Sequence, residues 1–291
     1  MIGDKFRFRF SKTGTLRLLS HHDMMRCLER MLRRAAVPFK STAGFHPAPR
    51  VVFALSLPLG VVGRDEVVEI ELLEPRESDE LLAQLNTQAP AGLAFTRATV
   101  VPMKATALPR RVLYTLPLPA DRVAEVELAA AKLMAEEKVW MNRIHPNPKR
   151  INIRPYFRRV AIQNLTPQPP SLRGKGESES EAPLRCGEGL GRGSVLEIDL
   201  WVTGNGSAKA EEVIRLLGVA DVHAAGAVLE RSALEVYDEV PAPDPADLPP
   251  SGPADVLPLD PVIAAAMKRD EESNQPAGAD WGASPNGPVV E

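Results

Sequence analysis

Over residues 5–101 the hydrophobic pattern changes from strand-like to helix-like and back again, and does so twice. Residues 5–10 (KFRFRF) alternate with period two, and from His21 to Ala36 the apolar residues recur at helical spacing. Ser20 and Asp23 form a predicted capping box before that helix, and Pro38 ends it. Strands are predicted next at Val51–Leu57, Glu66–Leu73 and Leu93–Val101, and Ser78 is predicted to cap a short helix, SDELLAQLN. This β-α-β-β-α-β order is the ferredoxin-like pattern.

The same order returns in the second part of the chain. The predicted elements there are strands at Val112–Leu118, Arg150–Gln163, Val195–Thr203 and Leu229–Val236, and helices at Ala120–Glu137 and Ala208–Leu217. The predicted fold class is therefore α+β, with two tandem ferredoxin-like βαββαβ units at residues 1–108 and 109–238.

Two segments do not fit this pattern. Residues 165–193 are rich in Pro, Gly, Ser and Glu, which predicts a disordered insertion between two strands of the second unit. Residues 239–291 contain eleven prolines and lack hydrophobic periodicity, apart from a short possible helix at Pro261–Arg269. They are predicted to form a disordered, acidic, proline-rich tail.

The charge of the chain is distributed unevenly. The formal net charge is only −3. Residues 1–60 nevertheless carry eleven basic side chains against three acidic ones, a net of +8, whereas residues 238–291 carry eleven acids against two bases, a net of −9. A basic body of this kind predicts binding to an anionic partner.

Several function classes are excluded by composition. Cys27 and Cys186 are the only cysteines, too few for a cysteine-based zinc site or an iron–sulfur cluster, and we predict neither a metal nor a cofactor. No apolar run is long enough to span a bilayer, and the first residues lack the apolar core of a signal peptide. The chain is therefore expected to be soluble, cytoplasmic and independent of membranes.

The helix that begins at His21 carries the strongest candidate site. Arg26, Arg30, Arg33 and Arg34 lie at spacings that place them on one side of it, opposite the apolar stripe. Guanidinium groups in such a row suit bidentate contacts with phosphates, although a solvated helix face has the same pattern. The predicted site also includes, near the start of the helix, Lys12, Arg17, His21 and Asp23.

The loop TAGFHPAPRVVF extends the candidate site. Its prolines restrict the backbone, Phe45 offers a stacking surface, and His46 and Arg50 offer hydrogen-bond donors. The alternative is that Phe45 packs into the core and the prolines only end secondary-structure elements.

A third basic element is the segment RIHPNPKRINIRPYFRR at residues 143–159. It has six basic residues and no acid, and aromatic residues are interleaved among them, as in many nucleic-acid-binding grooves. We assign Arg150, Arg154 and Tyr156 to the predicted site. An exposed face of a strand explains the same arginines nearly as well.

The run RFRFSKTGTLRLLSHHDMMRCLERMLRRA, followed by GFHPAPRVVFALSLPLG and later RINIRPYF, resembles the radical-SAM-linked domain of unknown function. The resemblance implies a stand-alone partner of a cobalamin-binding radical-SAM protein, and it implies no reaction. We therefore expect an accessory protein that binds an anion or RNA, such as tRNA or rRNA, and presents it to a radical-SAM enzyme. The alternatives are an enzyme acting on RNA or a nucleotide-like substrate, and a purely protein-binding partner.

Overall fold

The computed structural model describes residues 3–43, 45, 47–145, 147–164, 193–241, 247–252 and 254–273. The elements, in chain order, are β1 Lys5–Lys12, α1 His21–Arg34, β2 Val51–Phe53, β3 Val62–Glu71, α2 Ser78–Gln88, β4 Leu93–Val101, β5 Pro109–Leu118, α3 Val123–Ala135, β6 Trp140–Arg143, β7 Lys149–Asn152, β8 Phe157–Asn164, β9 Ser194–Thr203, β10 Gly206–Ser207, α4 Ala210–Leu216, α5 Ala220–Ala224, β11 Glu230–Val236, β12 Val256–Pro258 and α6 Pro261–Ser273.

These elements form two compact units. The larger unit contains a nine-stranded sheet, in which the strand path β10-β9-β5-β11-β3-β1-β4 is joined by β2 on β3 and by β8 on β9. The smaller unit contains a three-stranded sheet of order β12-β7-β6 and the helix α6. The fold is therefore mixed α/β, with one large and one small sheet. No helix in the described part of the chain is long and apolar enough to cross a membrane.

The alternation of β1 decides what lies on each side of the large sheet. Phe6, Phe8 and Phe10 point to one face and are fully buried in a core with apolar residues of α1 and α2. The ring of Phe8 meets that of Phe95 edge to face at 5.5 Å. Because truncation of a buried Phe to Ala typically costs about 3–5 kcal/mol, this face anchors α1 on the sheet.

The opposite face of β1 carries buried charges. Lys5, Arg7 and Arg9 are at most 7% exposed. Glu69 of β3 pairs with the first two, and its carboxylate is 2.7 Å from both Lys5 Nζ and Arg7 Nη2. A 3₁₀ helix at Tyr237–Glu239 covers this layer with two further acids. Ion pairing of this kind is required, because an unpaired buried charge is strongly destabilising.

The helix α1 begins where the sequence predicts, with Ser20 as its N-cap. Ser20 Oγ accepts a hydrogen bond from the backbone N–H of Asp23 at 3.2 Å and donates to Asp23 Oδ2 at 2.7 Å. This is the predicted N-terminal cap of α1. The helix ends at Arg34, two residues before the predicted end, as the chain turns into the proline-containing segment that follows.

The strand predicted at 150–163 is wrong in one respect. It is divided into β7 and β8 by a 3₁₀ helix at Arg154–Tyr156 that contains Pro155. Proline has no backbone N–H to donate and disrupts a strand ladder, so β7 joins the small sheet and β8 the large one.

The tail at 239–291 was predicted to be disordered apart from a short helix at Pro261–Arg269. The helix α6 at Pro261–Ser273 agrees with that exception, whereas β12, which pairs antiparallel with β7, was not predicted. Backbone partners on β7 explain why a strand forms without an apolar pattern. Residues 242–246 and 274–291 lie outside the described residues, as does nearly all of the predicted insertion at 165–193. The division into two ferredoxin-like units stays a prediction.

Candidate anion-binding site

The arginines of α1 lie on its exposed side. Met24, Leu28, Met31 and Leu32 are buried against the sheet. The side chains of Arg26 and Arg33, by contrast, are 70% and 62% exposed, and Arg30 and Arg34 are exposed as well. The amphipathic pattern therefore leaves four guanidinium groups in contact with water.

These four guanidinium groups are only weakly engaged within the protein. Arg26 lies 3.6 Å from Asp23, Arg33 pairs with Glu29 at 2.7 Å, and Arg34 donates to the carbonyl of Gln88 at 2.9 Å. Within the described part of the chain, Arg30 has no hydrogen-bond or ion-pair partner. Exposed pairs of this type contribute about 0–1 kcal/mol, so an incoming anion can replace them at little cost.

The loop after α1 is closed at its base and exposed at its tip. The backbone N–H of Thr42 donates to the carbonyl of Ala48 at 2.8 Å, and Ser41 and Pro49 form an isolated β-bridge. Phe45 lies between these closing contacts and is fully exposed. The alternative that Phe45 packs into the core is therefore wrong. His46 lies outside the described residues.

Contacts at the base of this loop link it to α1 and to the sheet. The guanidinium of Arg33 lies 5.7 Å from the ring centroid of Phe39, which precedes the loop. Lys40 Nζ and Arg50 Nη1 lie on either side of the loop, 3.2 and 3.4 Å from the Glu71 carboxylate. Arg50, a predicted site residue, is thus partly neutralised by Glu71 but remains exposed.

Lys12 and His21 lie in a different environment from the arginines. Both line a cavity of about 20 Å³ whose wall also includes Glu66 and Phe53. Lys12 is buried, its Nζ donates to the carbonyl of Leu19 at 2.8 Å, and burial lowers the pKa of its ammonium group, against the opposing effect of Glu66. A cavity of this size holds about one water molecule. Lys12 and His21 are therefore not placed to bind a nucleotide.

The two remaining residues near the helix start are in local contacts. Arg17 donates to the carbonyl of Gly14 at 3.2 Å. Asp23 caps α1, as described above, and its carboxylate adds a negative charge beside Arg26. Asp23 thus has a structural role that is sufficient to explain its position.

The predicted site residues of the basic segment at 143–159 lie in different environments. Arg154 is bound to the C-terminal end of α3, where its guanidinium donates to the carbonyls of Met134 at 2.7 Å and Glu136 at 3.0 Å. This is the favourable position for a cation at a helix end. Tyr156 is 1% exposed and cannot stack on a ligand. Arg150 lies over the ring of Trp140 at 5.4 Å, within the smaller unit.

One buried ion pair was not predicted from the sequence. Arg231 of β11 is fully buried and bonded to Glu66 of β3, with Nε 2.8 Å from Oε1, and Tyr114 lies beside it. Burial alone would lower the pKa of Arg231, but Glu66 reverses this effect and keeps the guanidinium charged. The only sequence signal was an arginine in a strand pattern, which does not reveal a partner 165 residues away.

The described residues contain no group of three or more His, Cys, Asp or Glu side chains placed to hold a metal ion. In their described residues, α1 and the 41–50 loop present exposed guanidinium groups and one exposed aromatic ring.

Residues 5–185 match the model of DUF2344, described as an uncharacterized protein conserved in bacteria. This match covers more than half of the chain. The chain belongs to the DUF2344 family. No curated protein matches it.

The DUF2344 match includes α1 and the 41–50 loop but ends before β9. Arg7 and Arg9 therefore lie inside the matched region, whereas their acidic partners Asp238 and Glu239 lie outside it. In this DUF2344 protein the ionic layer beneath β1 is completed by residues beyond the family match.

Proposed function

We propose that this protein binds RNA through the exposed arginine side of α1 and the 41–50 loop, which carries Phe45. We propose also that it serves as an accessory protein to a radical-SAM enzyme. The observation that carries the proposal is the combination of four exposed guanidinium groups on one helix side with a fully exposed aromatic ring on a closed loop. The radical-SAM partner comes from the sequence resemblance alone. RNA as the ligand implies a cytoplasmic location.

An extended anion suits this surface better than a single small ion. Arg26 and Arg34 are eight residues apart on α1, a distance of about 12 Å at 1.5 Å per residue. In double-stranded DNA, the charges of one strand follow one another at about 3.4 Å along the axis. The row of arginines is therefore long enough to meet several phosphates.

Phe45 favours a single-stranded RNA over a duplex. An exposed ring can stack on an unpaired base, because the flat surface of a base is accessible only when it is unstacked. The ring is fully exposed and makes no contribution to the core. Single-stranded loops or ends of tRNA or rRNA present such bases next to a charged backbone.

We propose further that the large sheet consists of two ferredoxin-like units. The strand orders β4-β1-β3-β2 and β11-β5-β9-β8 support this division, since each follows the βαββαβ arrangement. RNA binding by proteins of that architecture is an analogy of fold and carries no weight for the site itself.

The test is the salt dependence of RNA binding. A fluorescein-labelled single-stranded RNA is titrated with the full-length protein, and anisotropy is measured at several salt concentrations. The double variant Arg30→Gln/Arg33→Gln is expected to bind more weakly. It should also flatten the plot of log affinity against log salt by about 1.4, at about 0.7 for each phosphate that the variant no longer neutralises.

The matched control is Arg64→Gln/Arg215→Gln, which removes the same charge from exposed positions outside α1. It should retain the wild-type slope. Full affinity in the Arg30/Arg33 double variant would contradict the RNA proposal and would favour a protein-binding surface instead.

A further inference from the structure

A second cluster of arginines lines a groove in the larger unit, at β8 and β9. The groove has a volume of about 410 Å³ and is lined by Phe157, Arg158, Arg159, Trp201, Asp247 and Leu248. This volume falls within the usual range of small-ligand sites, about 300–1,000 Å³. None of these residues belongs to the candidate site on α1.

Two guanidinium groups, that of Arg158 in the groove wall and that of the buried Arg110 beside it, are held in place by a buried indole. Arg110 lies 4.9 Å and Arg158 5.7 Å from the ring of Trp201, which is 5% exposed. Stacking on an aromatic ring restricts a guanidinium and leaves its N–H edges available for in-plane hydrogen bonds. The groove therefore presents pre-organised donors.

Two acidic side chains, Asp199 of β9 and Glu235 of β11, also orient these two arginines. Arg158 Nη1 donates to the buried Asp199 carboxylate at 2.6 Å, and Arg110 Nη1 donates to Glu235 at 2.9 Å. The Nε donor of Arg110 is buried and has no hydrogen-bond acceptor within the described residues. Donor capacity thus remains after the internal hydrogen bonds are made.

Asp247 of the same chain accepts hydrogen bonds from both arginines. Arg158 Nε donates to Asp247 Oδ1 at 2.6 Å, and Arg110 Nη2 donates to the backbone carbonyl of Asp247 at 2.5 Å. The bond to Arg158 lowers the pKa of the Asp247 carboxyl group, which is therefore ionised at neutral pH. Asp247 occupies the position that an oxyanion ligand would take.

Few hydrogen bonds of the described residues hold the segment that carries Asp247. Leu248 is 53% exposed, Pro249 and Pro250 are partly buried, and the described residues 248–252 contribute no hydrogen bond. The carboxylate and carbonyl of Asp247 are thus the main described attachments of this segment to the groove. An attachment made by one residue can be replaced by a competing anion.

The local charge balance also favours an anion. The ion-paired network at the groove wall contains four cations and three acids besides Asp247, a net of +1; these residues are Arg110, Arg111, Arg158 and Arg159, and Glu197, Asp199 and Glu235. Asp247 brings this balance to zero. Removal of Asp247 from the groove would leave guanidinium donors without an acceptor, which is costly for partly buried groups.

We propose that this groove is a binding site for a phosphate group, and that Asp247 is an internal competitor which occupies it in the absence of ligand. The phosphate could belong to a small phosphate ester or to a nucleic-acid backbone, which have the same recognition chemistry. The proposal does not depend on RNA binding by α1, since it concerns different residues.

The experiment uses Trp201 as the reporter. In the full-length protein, Trp140→Phe and Trp281→Phe leave Trp201 as the only tryptophan, and its emission is followed during titration with inorganic phosphate. In this background Asp247→Asn should bind phosphate about tenfold more tightly than the parent, because the site is no longer occupied by the chain. Addition of Arg158→Gln should abolish the gain.

The control is Glu127→Gln, which removes one exposed acid from α3 and should leave phosphate affinity unchanged. Asp247→Ser serves as a second variant in case the Asn side chain still bonds to Arg158. Circular dichroism checks that each variant is folded. Equal phosphate affinity in the parent and in both Asp247 variants would overturn the proposal, as would a gain that persists after Arg158→Gln.

A titration with a short single-stranded oligonucleotide distinguishes the two sources of phosphate. Tighter binding of the oligonucleotide than of inorganic phosphate, abolished by Arg158→Gln but not by Arg30→Gln/Arg33→Gln, supports a nucleic-acid backbone as the source. Binding of inorganic phosphate alone supports a small phosphate ester.

Discussion

β1 and α1 are both strongly basic, but the basic side chains of β1 are buried whereas those of α1 are exposed. Lys5, Arg7 and Arg9 of β1 are buried and paired with acids, whereas Arg26 and Arg30 of α1 are exposed. Arg7 contacts both Glu69 and Asp238, and Arg9 contacts Asp65 and Glu239. The basic residues of β1 therefore stabilise the fold, whereas those of α1 remain available to a ligand.

The difference follows from the two periodicities. Both faces of β1 are covered, one by the core with α1 and α2 and the other by the 3₁₀ helix at Tyr237–Glu239, so its alternate cations are removed from water and must be paired. A helix on the sheet surface buries only one stripe, and its remaining side stays solvated. The net charge of +8 over residues 1–60 is thus a poor measure of the positive charge that a ligand meets.

The largest expected effect concerns Arg7. Arg7→Gln should lower the free energy of unfolding by about 3–5 kcal/mol, because Glu69 would lose a buried partner. Arg33→Gln, which breaks an exposed pair with Glu29, should lower it by less than about 1 kcal/mol. Urea unfolding of both variants gives the comparison. Similar small losses in the two variants would show that the β1 charges are not structural.

The next effect concerns Phe45 and RNA affinity. Phe45→Ala should weaken RNA binding by about 1–3 kcal/mol if a base stacks on the ring, and should leave the salt dependence unchanged. The unfolding free energy should be nearly unaffected, because the ring is fully exposed. Leu128→Ala, at an exposed apolar position on α3, is the control for general loss of apolar surface. A stability loss without an affinity loss would place Phe45 in a structural role.

The smallest expected effect is a pH dependence of the stability that the Arg7–Asp238 ion pair contributes. The hydrogen bond from Arg7, opposed by partial burial, lowers the pKa of the Asp238 carboxyl group. A lowered pKa in the folded state means that this ion pair stabilises the protein above the usual Asp pKa of about 3.9, and that its contribution disappears as the pH falls through the folded-state pKa.

Asp238→Asn should therefore cost about 1 kcal/mol at pH 7, a modest value because Asp238 is half exposed. The difference from wild type should shrink as the pH is lowered through and below the usual Asp range. Urea unfolding at several pH values measures it. A constant difference across this range would exclude ionisation of Asp238 as its cause.

Much of the first half of the fold follows from local pattern. The capping residues Ser20 and Asp23, the apolar stripe of α1 and the exposed position of its arginines all agree with the prediction. β7 and β8 were predicted as one strand, Arg150–Gln163, without a break at Pro155. A signal that spans only a few residues cannot show that the two pieces pair in different sheets.

The candidate site was predicted less well than the fold. Arg154 and Tyr156 were assigned to a binding surface, but Arg154 binds the end of α3 and Tyr156 is buried. Lys12 was assigned to the same surface and instead donates to the carbonyl of Leu19 beside a small cavity. Residue type and spacing describe what a side chain can do, but they do not show which internal group it meets first.

The sequence by itself determined which residues share a face, through the period of two in β1 and the helical period in α1. Only the tertiary structure decided which of those faces meets water. Arg7 is paired with an acid 231 residues further along the chain, and Arg158 with one 89 residues away. Such partners are brought together by the pairing of distant strands, because a periodicity fixes the direction of a side chain and carries no information about what lies opposite it.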